Sequence, residues 1–134
     1  MRIKRLNSMA KTPLRATSTD AGIDLYATSI SIEGDIVTYG VGLAFEIPEN
    51  HFGLLTNRSS IYKKDLQIST GIIDSGYRGE VKVKFRKFGN NIYDLGERIA
   101  QLVIIPYTKV DLEFSDNLSN TERDNKGFGH SGNK

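Results

Sequence analysis

The stretch Gly71–Phe85, which reads GIIDSGYRGEVKVKF, places two apolar runs on either side of a turn. Ile72 and Ile73 are β-branched, and Val81–Phe85 alternates apolar with polar residues as a half-buried strand does. Between the two runs, Asp74–Gly76 supplies turn chemistry, because aspartate bonds nearby backbone amides and glycine adopts a positive φ. The stretch therefore predicts a β-hairpin with polar side chains near its tip.

Three side chains with functional chemistry belong to this turn, namely Asp74, Tyr77 and Arg78. A carboxylate, a phenol and a guanidinium on a tight turn could act as a base, a stacking surface and a phosphate ligand. An ordinary hairpin is the alternative, in which Asp74 caps the turn and Tyr77 covers the sheet. A short motif does not separate these interpretations, so the rest of the chain must decide between them.

Length and composition limit the classes of protein to which the chain can belong. Its 134 residues suit one domain, and 25% charged and 38% apolar residues are typical of a soluble globular protein. A net charge of +2 does not favour nucleic-acid binding, which usually needs a clustered basic face. The absence of cysteine excludes disulfides, thiolate zinc sites and cysteine nucleophiles. His51 and His130 lack the spacing of a histidine metal site.

Common targeting and nucleotide-binding motifs are absent from the sequence. No apolar run is long enough to span a bilayer, and Met1–Arg5 is not followed by the apolar core of a signal peptide. We therefore expect a cytoplasmic protein, or one inside the nucleus or a host cell if its source is eukaryotic or viral. The chain also lacks a P-loop and the paired-glycine fingerprint of a Rossmann site.

Beyond the turn, the chain shows short apolar or alternating runs and almost no helical periodicity. Gly, Pro, Asn or Asp bound most of these runs, and this pattern predicts an all-β sandwich or barrel. Ile99–Ile105 does not alternate, which predicts a strand covered on both faces, and a partner subunit could supply the second cover. The predicted strands are Ile30–Ile32, Ile36–Tyr39, Leu43–Ile47, Phe52–Leu55, Val81–Phe85, Ile99–Ile105 and Val110–Phe114.

Two segments depart from the β pattern. Arg58–Lys64 is compatible with a short helix capped by serine, whose free amides could bind an anion beside Arg58; a plain capped helix is the alternative. From Asp116 the chain is polar, so we expect a core domain of residues 1–115 and a flexible arm of residues 116–134. The arm could extend roughly 60 Å, so Phe128 could stack on a ligand of a neighbouring subunit; a disordered tail is the alternative.

Five separated motifs occur in one order, and together they resemble those of the trimeric deoxyuridine triphosphate nucleotidohydrolases (dUTPases). The motifs, which span nearly the whole chain, are Ala21–Ala27 (A-G-x-D-L-x-A), Arg58–Ser60 (R-S-S), Gly71–Glu80 (G-[VI]-I-D-x-x-Y-R-G-E), Gly96–Leu102 (G-[DE]-R-I-A-Q-L) and Arg123–Gly132 (R-G-x-G-G-F-G-[HS]-[ST]-G). Asp124 and Lys126 depart from this pattern, since the family usually has glycine there. The resemblance implies an all-β, jelly-roll-like β-barrel that assembles as a homotrimer, with a mobile C-terminal arm and three active sites at subunit boundaries.

The resemblance also implies a reaction and the residues that carry it out. Asp74 would activate the water that attacks the α-phosphorus of dUTP, which releases dUMP and pyrophosphate. Backbone groups of Gly71, Ile72 and Ile73 would pair with uracil, while Tyr77 would lie under the deoxyribose and exclude a 2′-hydroxyl. Such an enzyme keeps uracil out of DNA and supplies dUMP for thymidylate synthesis.

The other motif residues are implied to hold the triphosphate. Asp24 and Gln101 join Asp74 in the implied catalytic set, and Mg²⁺ would bridge phosphate oxygens without a direct protein ligand. Asp24 would organise the water molecules on Mg²⁺ or the neighbouring arginine. The implied phosphate ligands are Arg58, Ser59, Ser60 and Gln101 for the α- and β-phosphates and Arg123, His130, Ser131 and Gly132 for the γ-phosphate, while Phe128 and the adjoining Gly129 would close over the uracil.

Two alternative functions stay open. A dCTP deaminase shares the fold but typically has Glu where this chain has Asp74, and ammonia release from dCTP would identify it. A regulatory protein is the other alternative, in which nucleotide-dependent ordering of the arm changes the affinity for a protein partner. For Arg78, contacts that tie the turn to the sheet or to an adjoining subunit are a better interpretation than a catalytic role. For Arg98, a buried ion pair or a subunit contact is as good an interpretation as phosphate binding.

Overall fold

The computed structural model describes residues 1–69, 71–129 and 131–132, and its regular structure is almost entirely β. Within those residues no helix is long and apolar enough to cross a membrane. The described residues form ten strands: β1 (Arg2–Arg5), β2 (Ile23–Tyr26), β3 (Ser29–Glu33), β4 (Ile36–Gly40), β5 (Leu43–Glu46), β6 (His51–Thr56), β7 (Leu66–Ile68), β8 (Gly71–Ile73), β9 (Lys82–Lys87) and β10 (Arg98–Pro106). A short 3-10 helix, Ser59–Lys63, lies between β6 and β7.

Two four-stranded antiparallel sheets enclose the core. The first sheet has the strand order β2-β10-β6-β8 and the second has the order β3-β4-β9-β7, while β1 pairs separately with β5. Alternating apolar side chains of both large sheets meet in one buried cluster, as expected for a sandwich. Leu25, Ile99 and Leu102 enter it from the first sheet, and Tyr39 and Phe85 enter it from the second. The predicted all-β, jelly-roll-like fold is confirmed.

The predicted hairpin around Asp74 is wrong. Gly71–Ile73 pairs with β6 in the first sheet, whereas Lys82–Lys87 pairs with β4 and β7 in the second. The connection of residues 74–81 is longer than the two to five residues usual for a hairpin loop. It therefore crosses from one sheet to the other, so Ile73 and Val83 reach the same core from opposite sides.

The last predicted strand, Val110–Phe114, is also wrong. β10 ends at Pro106, and residues 107–114 form no strand in the described chain. Leu112 and Phe114 are fully exposed, so no neighbouring strand supplies the contacts on which β-propensity depends. In β10 itself, Ile99 and Leu102 are buried while Val103 is only half-buried. Cover of the second face by a partner subunit stays a prediction, as does the division at residue 115.

A cluster of three aromatic rings forms one end of the core. Tyr39 packs edge-on against Phe85, with ring centroids 5.8 Å apart, and against Tyr93 at 6.3 Å. The hydroxyl of Tyr39 donates a 2.8 Å hydrogen bond to the backbone carbonyl of Tyr93. Burial raises the pKa of Tyr39 to about 12 from its ordinary value of 10.0.

This raised pKa makes stability sensitive to alkaline pH. The stabilising effect of keeping Tyr39 neutral is fully present below pH 10 and is lost as the pH rises through about 12. We expect the free energy of unfolding, measured by urea denaturation, to fall across that window, and to fall less in Tyr39→Phe. Ionisation of Tyr39 near pH 10, seen as a difference in phenolate absorbance between the two proteins, would contradict this expectation.

Candidate active site

Most predicted site residues of the core line two separate clefts, whereas Ser60 and Gly71 line neither of them. The first, here called the turn cleft, has a volume of about 230 Å³ and is lined by Ile72, Ile73, Asp74, Tyr77, Glu80, Val81 and Lys82. The second, here called the arginine cleft, has a volume of about 410 Å³ and is lined by Ala16, Asp20, Ala21, Gly22, Asp24, Arg58, Ser59, Gln101 and Val103. Two acids and a lysine therefore line the turn cleft, and a mixed cluster of charged and amide groups lines the arginine cleft.

The turn cleft presents Asp74 on a connection that is held by hydrogen bonds. The amide of Tyr77 donates to the carbonyl of Asp74 at 3.1 Å, which closes the turn. Arg78 donates to the carbonyls of Ser75, at 2.6 Å, and of Tyr77, and its other terminal nitrogen lies 3.7 Å from Glu46 in β5. Arg78 therefore holds the turn, as one of its two interpretations predicted.

The ring of Tyr77 is fixed beside Asp74 by its own neighbours. Its hydroxyl donates to the carbonyl of Glu80 at 3.0 Å. A Cβ at Gly79 would lie only 2.6 Å from Cζ of Tyr77, so the ring can occupy this position only because residue 79 is glycine. Tyr77 is nevertheless 45% exposed, so part of its ring is available to a ligand.

The arginine cleft is organised by one carboxylate between two guanidinium groups. Oδ1 of Asp24 accepts a hydrogen bond from Nε of Arg58 at 2.9 Å, and Oδ2 accepts one from Arg98 at 3.1 Å. The Asp24 side chain is only 13% exposed, which strengthens both charge-assisted contacts. Because Arg58 binds Asp24 through Nε, its two terminal nitrogens remain directed to other partners. Arg98 thus forms an ion pair, which was one of its predicted roles.

Gln101 is held at the floor of the same cleft. Its Nε2 donates to the backbone carbonyl of Asn57 at 2.7 Å, and β-pairing places it directly opposite Asp24 and Thr56. A Cβ at Gly22 would overlap the side-chain oxygen of Gln101 and lie 2.8 Å from its Cδ. Sequence reasoning missed Gly22 and Asn57. The glycine of the A-G-I-D-L motif was a signal for the first, but nothing in the sequence pointed to the second.

The helix beside Arg58 differs from the predicted one. It is a single 3-10 segment that begins at Ser59, and Arg58 rather than a serine occupies the cap position, without a side-chain capping bond. Its first internal hydrogen bond runs from the amide of Ile61 to the carbonyl of Arg58. The amides of Ser59 and Ser60 therefore precede the first hydrogen-bonded amide of the helix and directly follow Arg58 in the chain.

One chain does not bring the two clefts together. Gln101 lies two strands away from β8, opposite Thr56, whereas Asp74 follows Ile73, which pairs with Gly53. With about 4.8 Å between strands and about 3.3 Å per residue, Asp74 and Gln101 lie about 15 Å apart. A ligand that touches both groups must therefore be long, or the groups must come from different chains.

The predicted arm residues that the structure describes line neither cleft. Arg123 bonds locally, through Nε to the carbonyl of Lys126 at 3.0 Å, and Phe128 is fully exposed. Asp124 has a φ of 46°, a backbone conformation that favours the glycine usual at this position in the family. Gly129 and Ser131 also lie outside both clefts. His130 lies outside the described residues.

The donor groups fit an indirectly held metal ion better than a protein cage. No group of three or more His, Cys, Asp or Glu side chains that could hold a metal occurs within the described part of the chain. Both oxygens of Asp24 already accept hydrogen bonds from arginine. Mg²⁺ commonly keeps several water ligands and binds through substrate phosphates. The residues present therefore fit a Mg²⁺ ion that arrives with a polyphosphate.

The packing of Gly22 against Gln101 gives a testable expectation. Gly22→Ala should displace the Gln101 side chain from the Asn57 carbonyl, because the added methyl occupies the same space. We expect a loss of catalytic efficiency of about tenfold, mostly in KM, since a small misplacement of a ligand-positioning group is costly. Gly76→Ala is the control, because its added Cβ would meet no atom within 4 Å and Gly76 has no proposed role in binding. Full activity in Gly22→Ala, with unchanged Tm, would contradict the assignment of Gln101.

Comparison with known proteins identifies relatives over the whole length of the chain. A family model for dUTPase matches residues 8–132. A deoxyuridine 5′-triphosphate nucleotidohydrolase of Hydrogenobaculum sp. (strain Y04AAS1) is 37% identical, and the match covers 98% of this chain and 97% of the relative. Both matches include the two clefts and most of the arm.

Solved structures give the same result. The dUTPase of Staphylococcus bacteriophage 80alpha with dUPNHPP matches with a TM-score of 0.87 at 32% identity, over 98% of this chain and 97% of that one. That protein is described as one of the phage dUTPases that control transfer of virulence genes by a proto-oncogenic G protein-like mechanism. A mutant dUTPase of S. aureus phage phi11 matches with a TM-score of 0.76 at 27% identity, over 87% and 96% of the two chains. It is described as coordinating a structural Mg(II) ion.

Proposed function

The chain belongs to the dUTPase family and hydrolyses dUTP, and we propose that Asp74 is the base that activates the attacking water. The water oxygen attacks the α-phosphorus while one of its protons passes to the Asp74 carboxylate. The bond between the α-phosphorus and the oxygen that bridges it to the β-phosphorus breaks, so dUMP forms and pyrophosphate leaves. The observation that carries this proposal is the position of Asp74, on a turn held by Arg78 beside the Tyr77 ring.

Recognition of the base is proposed to occur on the free edge of β8. This strand is the last in the first sheet, and among the described residues no strand pairs with its outer edge. Outward amides and carbonyls of Gly71, Ile72 and Ile73 can therefore pair with the uracil edge, as in strand addition. These fixed donors and acceptors would be mismatched to a 4-amino base. The Tyr77 ring, wedged against Gly79, would leave no room for a 2′-hydroxyl.

Triphosphate binding is proposed to occur in the arginine cleft. Arg58 keeps its terminal nitrogens for phosphate because Asp24 holds it through Nε. The amides and hydroxyls of Ser59 and Ser60, and the Gln101 side chain, would complete the contacts to the α- and β-phosphates. Asp24 would fix the two arginines and the water around a phosphate-bound Mg²⁺. When bound, the ion would neutralise charge on the phosphates.

The active site is proposed to be shared between subunits of a homotrimer. The separation of about 15 Å between Asp74 and Gln101 in one chain supports this arrangement, because both must approach the α-phosphate. The turn cleft of one subunit would face the arginine cleft of a second. Arm residues of the third would then close the site, with Phe128 and Gly129 over the uracil and Arg123, His130, Ser131 and Gly132 at the γ-phosphate. In the cell, this reaction would keep uracil out of DNA and supply dUMP.

A second, regulatory function is proposed from two observations. The arm carries a fully exposed Phe128, and its described residues line neither cleft, so ordering of the arm over a nucleotide would change the surface of the protein. The phage 80alpha relative is described as acting by a G protein-like mechanism. Binding of a protein partner that depends on bound nucleotide would support this function, and it need not exclude catalysis.

Pyrophosphate release tests the proposed function directly. The wild-type protein should release pyrophosphate from dUTP in the presence of Mg²⁺, and much more slowly from dCTP, UTP or dTTP. Release of ammonia from dCTP would instead indicate a deaminase. Tight binding of dUTP without pyrophosphate release would be consistent with the proposed phosphate site but would refute hydrolysis. It would favour the regulatory function.

A further inference from the structure

Lys64, which directly follows the 3-10 helix of the arginine cleft, is half-buried under the segment that leads into β10. Its Nζ donates to the carbonyl of Ile92 at 3.1 Å and to Oε2 of Glu97 at 3.3 Å. The same ammonium lies 4.8 Å from the ring centroid of Tyr93. Only 19% of the side chain is exposed, so these contacts are shielded from water more than those of a surface lysine.

Glu97 connects this lysine to the carboxylate at the centre of the cleft. Its Oε2 also accepts a 2.6 Å hydrogen bond from the amide of Asp94, and its carbonyl accepts one from the amide of Ala27 at 3.0 Å. Ala27 directly follows β2, which carries Asp24, and Glu97 directly precedes Arg98. A displacement of Glu97 would therefore be transmitted to both partners of the Asp24–Arg98 ion pair.

Tyr93 connects the same lysine to Arg58. Tyr93 is 4% exposed and packs against Tyr39 and Phe85 in the core, so its ring is a fixed surface. Burial raises the pKa of Tyr93, while the charge of Arg58 lowers it. Tyr93, Lys64 and Glu97 line, together with Arg58 and Arg98, a third cleft of about 400 Å³, which Ser60 and Lys63 also line.

We propose that Lys64 is a positioning residue for triphosphate binding, because it sets the spacing between Arg58 and Arg98 through Tyr93 and Glu97. The lysine belongs to the chain segment of Arg58, and its bonds go to the segment of Arg98. It bonds to protein groups and not to the nucleotide. This inference rests on the proposed role of the arginine cleft in binding phosphate.

Competitive inhibition of dUTP hydrolysis separates this role from a purely structural one. The two inhibitors are dUpNHpp, the nucleotide present in the phage 80alpha structure, and deoxyuridine, which has no phosphate. In Lys64→Met we expect the inhibition constant of dUpNHpp to rise about tenfold while that of deoxyuridine stays unchanged. Lys64→Arg should restore most of the dUpNHpp affinity, because it keeps the charge and the donors.

Two further variants make the test specific. Glu97→Gln should raise the inhibition constant of dUpNHpp and leave that of deoxyuridine unchanged, as expected for Lys64→Met. It provides a second test if Lys64→Met does not fold. Lys109→Met is the control for loss of a lysine charge, because this exposed lysine lines none of the three clefts, and it should leave both constants unchanged. Suppose that the wild type hydrolyses dUTP but Lys64→Met weakens the binding of both inhibitors equally, or of neither. That result would overturn this inference and leave the proposed function standing. A wild type that releases no pyrophosphate would instead refute the proposed function.

Discussion

Replacement of Asp74 by asparagine is expected to lower kcat for dUTP hydrolysis by about 10³-fold, with little change in KM. Asparagine has nearly the same shape but cannot accept a proton from water. The turn should survive the change, since its closing bond uses the carbonyl of residue 74 and the Arg78 contacts use other carbonyls. Steady-state pyrophosphate release gives both constants, and calorimetric titration with dUTP should still show binding.

Glu80 provides the matched control for this variant. It is a second acid of the turn cleft, but its Oε1 accepts a 2.9 Å hydrogen bond from the amide of Gly42, so the carboxylate is held at the connection between β4 and β5. Glu80→Gln should keep kcat within about threefold of wild type, because an amide oxygen can accept the same bond. A large loss in Glu80→Gln with normal activity in Asp74→Asn would exchange the roles of the two acids.

Replacement of Arg58 by alanine is expected to reduce kcat/KM for dUTP by about 100-fold. The variant removes two terminal nitrogens proposed to bind phosphate, and hydrogen bonds to charged groups contribute about 1.5–3 kcal/mol each. It also leaves Asp24 with Arg98 as its remaining arginine partner, so a lower Tm should accompany the loss.

Arg58→Lys separates the two effects of this change. Lysine keeps the positive charge near Asp24, so Arg58→Lys should recover most of the decrease in Tm that Arg58→Ala causes. Activity should return only in part, because a lysine cannot bind Asp24 through one nitrogen and a phosphate through two others. Wild-type kcat/KM in Arg58→Ala would contradict the assignment of the arginine cleft to phosphate.

Local patterns were sufficient for those parts of the fold that depend on one buried face. The alternation of Leu43–Ile47 identifies Leu43, Phe45 and Ile47 as core residues, and β5 occupies most of that segment, although Ala44 on the other face is buried as well. Alternation does not specify the partner strand, however. The runs on either side of Asp74 have suitable patterns for a hairpin, but their partners β6 and β4 lie elsewhere in the chain. For the same reason, the alternating Val110–Phe114 run could not reveal that the single chain offers it no partner strand.

The sequence predicts the candidate site where neighbouring site residues belong to one motif. It does not predict contacts between residues of two different motifs. Asp74 and Tyr77 belong to one turn, so their proximity follows from the sequence alone. The contact of Gly22 with Gln101 depends on the register between β2 and β10. That register is set by the core packing of the complete sheet, so no local pattern encodes it. The link from Lys64 to Glu97 was hidden for the same reason.

The most direct test of a shared active site is the activity of mixed assemblies of Asp74→Asn and Arg58→Ala chains. Each variant alone should be nearly inactive. After unfolding and refolding of an equal mixture, about a quarter of the sites should combine an intact Asp74 from one chain with an intact Arg58 from another. We expect dUTP hydrolysis to recover to about a quarter of the wild-type rate, whereas each variant refolded alone should stay inactive. No recovery in mixed assemblies shown to contain both chains would mean that Asp74 and Arg58 act within one chain, and would contradict the shared site.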